Sequence, residues 1–139
     1  MDEKRLREDL TRDEARRAKP YTDTVGKISI GVGRNLTDVG LRPDEIDLLL
    51  SNDISAVCHD LDARLPWWRK MTDARQNALA NMCFNLGITR LLTFKTTLGH
   101  LERGEYDQAA DAALQSKWAT QVGDRAKRIA ALIKKGVYD

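Results

Sequence analysis

Residues 13–33 read Asp13-Glu14-Ala15-Arg16-Arg17-Ala18-Lys19-Pro20-Tyr21-Thr22-Asp23-Thr24-Val25-Gly26-Lys27-Ile28-Ser29-Ile30-Gly31-Val32-Gly33. Two kinds of backbone meet in this stretch. Upstream, residues 3–18 are mostly charged, yet Leu6 and Leu10 lie four apart and Glu14 continues their row. That spacing predicts a short amphipathic helix with one narrow buried face. Pro20 is expected to end it. From Tyr21 to Leu36, β-branched and polar residues alternate around a turn at Gly26, which predicts a small hairpin or meander of short strands.

Everything downstream reads as helix. Pro43 stands where a first helical turn tolerates proline. Ile46, Leu49, Leu50, Ile54, Val57, Leu61 and Leu65 then form one stripe at three- and four-residue steps over 43–65. Thr72-Asp73 starts a helix carrying Ala78, Leu79, Met82, Cys83 and Leu86, with Gly87 as its stop. Phe94, Leu98 and Leu101 mark a further helix ending near Gly104. Ala109 to Leu114 marks another, followed by Trp118. Asp124 can cap a last helix with Ala126, Ile129, Ala130 and Ile133. Helix, small sheet, then helices only is an α+β order with helix dominant.

A chain of 139 residues has room for one domain. Its 42% hydrophobic and 32% charged residues are those of a folded globular protein rather than a disordered one. A net charge of +2 is too small to point to nucleic acid. Cys58 and Cys83 sit in apolar helical stretches and read as small buried residues, not as a disulfide framework. No run approaches the ~20 apolar residues of a membrane span. The charged start Met1-Asp2-Glu3-Lys4-Arg5 has no apolar region behind it, so no signal peptide is expected.

Several chemistries lack their residues. His59 and His100 are far apart, and neither H-E-x-x-H nor C-x-x-C occurs, so no metal site is expected. The serine-nucleophile elbow G-x-S-x-G is missing. Gly31-Val32-Gly33 begins like a dinucleotide fingerprint, but position 36 is Leu, and the two glycines read as a tight strand end. Carboxylates offer more. Glu14, on the Leu6–Leu10 row, is expected to be partly desolvated, as suits a general acid. Asp23, nine residues on in polar surroundings, is expected to stay ionised. Two carboxyl groups in unlike settings are what glycoside hydrolysis uses. Spacing alone still favours the plainer reading, in which Glu14 is one charge on a solvated helix and Asp23 a turn residue.

The run from Asp13-Glu14 through Tyr21-Thr22-Asp23 to Gly31-Val32-Gly33 resembles the catalytic segment of phage-type lysozymes, the muramidases of tailed bacteriophages and prophages. Arg75 to Gly87 resembles the central helix of that family. Trp118 to Ile129, with Arg125-Ala126-Lys127-Arg128, resembles its C-terminal helix. Three ordered segments, spanning about residues 6–136, carry the resemblance.

It implies a lysozyme-like fold, with a small antiparallel sheet packed beside a helical lobe, in a single domain over 1–139. The sheet lobe would cover about 15–50, and the helical lobe about 55–139 plus the N-terminal helix. It implies hydrolysis of the β-1,4 bond between N-acetylmuramic acid and N-acetylglucosamine in peptidoglycan, with inversion. Glu14 would be the general acid and Asp23 the base that activates water. Ser29, at a position where the family has Thr, would support that water with its hydroxyl. Asn35, Phe84, Asn85 and Thr97 match substrate-contact positions; Ala112 matches another, but has nothing to donate to a sugar. Arg34 stands where the family often has His, and Asp53 at the carboxylate that pairs with it, so an Arg34–Asp53 ion pair is expected. Arg125 is expected near Glu14. No cofactor is implied, nor nucleic acid, nor stable membrane insertion. The protein would be a monomer, held in the host-cell cytoplasm until released to the cell wall.

Alternatives are a lytic transglycosylase or chitinase on the same fold, or a non-catalytic cell-wall or protein-binding module. Asp23 argues against the transglycosylase, which needs no such group. The presence of both Glu14 and Asp23 argues against the binding module. Asn77, Asn81 and Asn85 recur every fourth residue, and either read sugar groups or brace the fold. Lys127, Arg128, Lys134 and Lys135 read as a solvated face, with a weak attraction to anionic wall as the functional alternative.

Overall fold

The computed structural model describes residues 1–139. Twelve elements follow one another: α1 Glu3–Glu14, β1 Arg17–Thr22, β2 Ile28–Gly31, β3 Arg34–Asn35, α2 Pro43–Arg64, a 3-10 helix Pro66–Lys70, α3 Asp73–Leu86, α4 Ile88–Leu91, α5 Lys95–Glu102, α6 Tyr106–Leu114, α7 Lys117–Val122 and α8 Asp124–Lys135. The helix-dominant α+β order is thus present, with a three-stranded antiparallel sheet in the order β1-β2-β3. No helix is long and apolar enough to cross a membrane.

The chain forms two compact units, Met1–Leu48 and Leu49–Asp139. The first contains α1, the whole sheet and the start of α2. Its order departs from the expected one in three places. The first helix stops at Glu14 rather than at Pro20, because Ala15 leaves helical geometry. Pro20 lies inside β1, an edge strand whose pairing with β2 shifts register between Arg17 and Tyr21. An edge position at an irregularity is where a strand accepts a residue with no N–H. The expected buried face of α1 is also corrected. No residue of α1 is buried, and Leu6 and Leu10 are 41% and 44% exposed. Two leucines in twelve residues make too narrow a stripe to build a core. They line a surface groove with Met1 and Val32 instead. Every buried apolar side chain lies at or beyond Leu61, so strand pairing, turn hydrogen bonds and ion pairs hold the first unit.

The second unit has the core. Ala78, Leu79, Met82 and Cys83 of α3 meet Leu101 of α5, Ala109 and Ala113 of α6, Trp118 of α7, and Ile129 and Ile133 of α8. Thr72 caps α3 as expected, accepting from the Arg75 N–H, and Ser116 caps α7 by accepting from the Ala119 N–H. Asp124 does not cap the last helix: it is the first helical residue of α8, the cap position is Gly123, and no side chain bonds there. Gly87 stops α3, with φ 78° and its N–H donated to the Cys83 carbonyl. The long apolar stripe of α2 is buried only at its end. Leu61 and Leu65 are inside the core, whereas Ile46, Leu49, Leu50 and Ile54 stay about half exposed. Cys83 is buried and Cys58 partly so, both as free thiols.

Candidate active site

α1 ends on Glu14, and the chain leaves it through Ala15 at φ 65° and ψ 160°, the one non-glycine residue at positive φ. That conformation stores on the order of 1–3 kcal/mol in an L-residue. The turn brings the Glu14 side chain onto Gly33. A Cβ placed on Gly33 would stand 2.8 Å from Glu14 Oε2 and 3.0 Å from Glu14 Cδ. Gly33 also sits at φ 67°. Backbone conformation and close approach both call for glycine there. Glu14 is exposed, so the desolvation expected of it on the Leu6–Leu10 row is not found.

Asp23 opens the turn between β1 and β2. Its Oδ1 accepts the N–H groups of Val25 and Lys27 at 3.0 and 2.8 Å. Its own N–H is donated to the Lys27 carbonyl, and the Gly26 N–H returns to the Asp23 carbonyl. This Asx arrangement fixes the carboxylate and leaves Oδ2 without a partner. Ser29 lies in the middle strand, paired with Tyr21 on one side and Asn35 on the other. It is 5% exposed, and its hydroxyl makes no hydrogen bond within the protein. Ser29 and Thr97 are the two buried polar side chains of the chain, and both were singled out from sequence.

Arg34 is paired, but with another carboxylate than expected. Its Nη1 donates to Glu45 Oε1 at 2.7 Å, and to the Gly40 carbonyl. Glu45 replaces Asp53 as the partner. The physical reason is local. Pro43 begins α2, which makes Glu45 its third residue, and a Glu there reaches back to the N–H before the helix. Glu45 does so, accepting the Arg42 N–H at 2.8 Å. That places its carboxylate within reach of Arg34. The Arg34 guanidinium, helped by the Arg42 N–H, holds the Glu45 carboxyl down to about 2. Asp53, in the second unit, is exposed. Asn35 engages Asp38 twice, accepting its N–H at 2.9 Å and donating to its carboxylate at 3.1 Å.

In the second unit the α3 amides brace. Asn77 Nδ2 donates to the Tyr138 hydroxyl, Asn81 accepts Arg125 Nε at 2.9 Å, and Asn85 accepts Trp118 Nε1 at 2.8 Å. An indole N–H needs an acceptor, so the Asn85 oxygen faces Trp118 and its NH2 stays available. Phe84 is 47% exposed and lines a groove with Leu50, Ile54, Val57, Ala80 and Arg125. Thr97 opens into a separate concavity beside Ala112. The role of Gly33 went unread in sequence, where Gly31-Val32-Gly33 reads only as a strand end. The Glu45 pairing also went unread, although Pro43 at the first helical position, with Glu45 at the third, was available as its signal.

Residues 11–135 match the family profile described as Phage lysozyme. The pre-baseplate central spike protein of Enterobacteria phage T4 is 27% identical over 94% of this chain, which spans 28% of that protein's length. Probable T4-type lysozyme 1 of Dictyostelium discoideum is 23% identical, with 96% of each chain covered. Probable T4-type lysozyme 2 of the same organism is 24% identical, with 94% of each covered.

Proposed function

The chain belongs to the phage lysozyme family, and from that premise we propose that it is a peptidoglycan N-acetylmuramidase. The family supports a muramidase-like glycoside hydrolase. The bond cleaved is the β-1,4 link between N-acetylmuramic acid and N-acetylglucosamine, with inversion. Glu14 protonates the leaving oxygen, and Asp23 takes a proton from the attacking water. Ser29 holds that water with its hydroxyl. An inverting pair keeps its carboxyl groups roughly 6.5–9.5 Å apart, to leave room for water. Phe84, Asn85 and Thr97 are the side chains offered to the glycan, and Asn35 shapes the turn beside Ser29. Arg125 and Arg34 take supporting roles, Arg34 through its ion pair with Glu45. The two units work as one domain, as a monomer and without a cofactor.

The observation that carries this reading is the make-up of the first unit. One carboxylate is free and seated on a glycine. A second is fixed by two backbone N–H groups. Ser29, a buried residue with an unengaged hydroxyl, lies in the strand that leads from the Asp23 turn toward Gly33. The unlike settings of the two carboxylates suit an acid and a base. Mass spectrometry of fragments released from purified peptidoglycan tests activity and product class together: reducing N-acetylmuramic acid ends support hydrolysis, whereas anhydro ends would assign a transglycosylase. Glu14→Gln, which has no proton to give, lowers turnover by at least ~10²–10⁴-fold in a folded protein. Undiminished turnover in that variant would remove Glu14 from the mechanism. The likeness to a spike protein favours a second setting for the same chemistry, as the lysozyme portion of a larger phage assembly.

A further inference from the structure

The first unit carries a hollow of about 470 Å³ lined by Arg16, Arg17, Ala18, Ile30 and Gly31, with no carboxylate at its border. Consecutive residues of a regular strand project to opposite faces, yet both arginines border the same space. The backbone accounts for this. Ala15 turns at φ 65°, Arg16 stands between that turn and β1, and the alternation of the strand starts only at Arg17. Beyond it β1 departs from β2. Arg17 stands opposite Gly31 and Tyr21 opposite Ser29, so four steps along one strand answer two along the other.

Neither arginine has a use within the protein. Arg7 pairs with Glu3, Arg12 with Asp9 and Asp13, and Arg34 and Arg42 with Glu45, whereas Arg16 and Arg17 have no ion pair and no side-chain hydrogen bond. Arg17 is nevertheless held in place, its guanidinium carbon 4.6 Å from the centre of the Tyr21 ring. The ring face attracts the cation and leaves its N–H donors free. The lining is open at Gly31, where an added Cβ would meet nothing within 4 Å.

We propose that this hollow binds a phosphate monoester through Arg16 and Arg17. A guanidinium presents paired N–H donors to an oxyanion. A carboxylate has two oxygens, which one such fork uses up. A phosphate monoester has three terminal oxygens and about two negative charges at pH 7, enough for both arginines. Arg16 and Gly31 also border the neighbouring groove of Leu6, Leu10 and Val32, so a lipid-borne phosphate lays its chain there and a sugar phosphate does not. This binding does not depend on the hydrolysis proposed above.

The test is a nitrogen-15 NMR titration of the whole protein with inorganic phosphate and, at matched ionic strength, with acetate. Phosphate shifts the Ala18 and Gly31 amides in a saturable way, and acetate binds about tenfold more weakly. Arg16→Ala and Arg17→Ala each weaken phosphate binding by about tenfold while the rest of the spectrum keeps its dispersion. Arg17→Lys keeps the charge but not the fork, and binds phosphate more weakly than the parent. Equal affinity for the two anions, unchanged affinity in both alanine variants, or shifts that follow Lys134 and Lys135 instead of Ala18 and Gly31 overturn the site. Two carriers of the phosphate are then compared. Saturable binding of N-acetylglucosamine 6-phosphate at the same amides, with none by N-acetylglucosamine, assigns the phosphate to a sugar. Cosedimentation with phosphatidylcholine vesicles only when they contain phosphatidic acid, lost in Arg16→Ala and weakened in Leu10→Ser, assigns it to a lipid. Binding of inorganic phosphate with neither carrier is an adventitious ion only and overturns the proposal.

Discussion

Replacing Gly33 by Ala separates the backbone demand at the Gly-x-Gly from the seating of Glu14, because Gly31 provides a matched control. Gly31 and Gly33 sit at φ 69° and 67°. A methyl group at either position meets the same left-handed backbone penalty, about 1–2 kcal/mol. For a chain of this size that lowers Tm by roughly 3–10 °C in each variant. Their surroundings differ. A Cβ on Gly31 meets nothing within 4 Å, whereas one on Gly33 stands 2.8 Å from Glu14 Oε2. The Glu14 side chain is flexible and exposed, so it moves aside at small cost in stability. Contact between carbon and oxygen needs ~3.5 Å, so the carboxylate is displaced by the better part of an ångström. A misplacement of about 1 Å costs on the order of 10²-fold in rate. Both variants are therefore expected to melt alike, while Gly33→Ala loses about 10²-fold in kcat and Gly31→Ala stays within a few-fold of the parent. The assay pairs thermal melts with turbidity clearing of purified peptidoglycan, measured well below both melting temperatures. Equal activity losses in the two variants would refute the seating of Glu14 on Gly33 as the reason for that glycine.

Arg34 holds the Glu45 carboxyl at about 2 against an ordinary 4.5. A depressed carboxyl pKa stabilises the fold above the ordinary value and ceases to as pH falls toward the depressed one. Stability should thus drop between about pH 4.5 and pH 2, and acid melts of Glu45→Gln should show a shallower drop across that window. Ala15→Gly releases the strain at φ 65° but loosens the unfolded chain, for a net gain of about 0.5–2 kcal/mol in a urea melt; a loss would show the turn unstrained. Gly136, at φ 73°, lies in the way of the Arg75 guanidinium that donates to the Ile133 and Lys134 carbonyls and covers the Tyr106 ring at 3.6 Å. Gly136→Ala should therefore lower stability by more than the ~1–2 kcal/mol of the backbone term alone, read from denaturant midpoints. Amide exchange should be slowest in α3, α6 and α8 and much faster in β1 to β3, because the first unit has no buried apolar side chain to protect it.

Much of the second unit was legible in order along the chain. Its helices repeat apolar residues at three- and four-residue steps, and Thr72 and Gly87 punctuate them by local chemistry. Local signals are complete in a helix, because its hydrogen bonds and caps join residues four or fewer apart. The Asp23 turn was legible for the same reason, its bonds reaching only Val25 and Lys27. The α1 face was misread, since periodicity says which residues share a side but not whether a core exists to receive them. The same holds for the exposed half of the α2 stripe.

By itself the sequence determined the helix-dominant α+β order, the positions of the turns, and the residue types offered to chemistry at Glu14, Asp23, Ser29 and Thr97. Those depend on short-range backbone geometry and on side-chain identity. Only the tertiary structure decided that Gly33 seats Glu14, that Arg34 takes Glu45 instead of Asp53, and that Ser29 and Thr97 are the two buried polar residues. Each of these is a meeting of groups brought together by the path of the backbone through space, and no spacing along the chain encodes it.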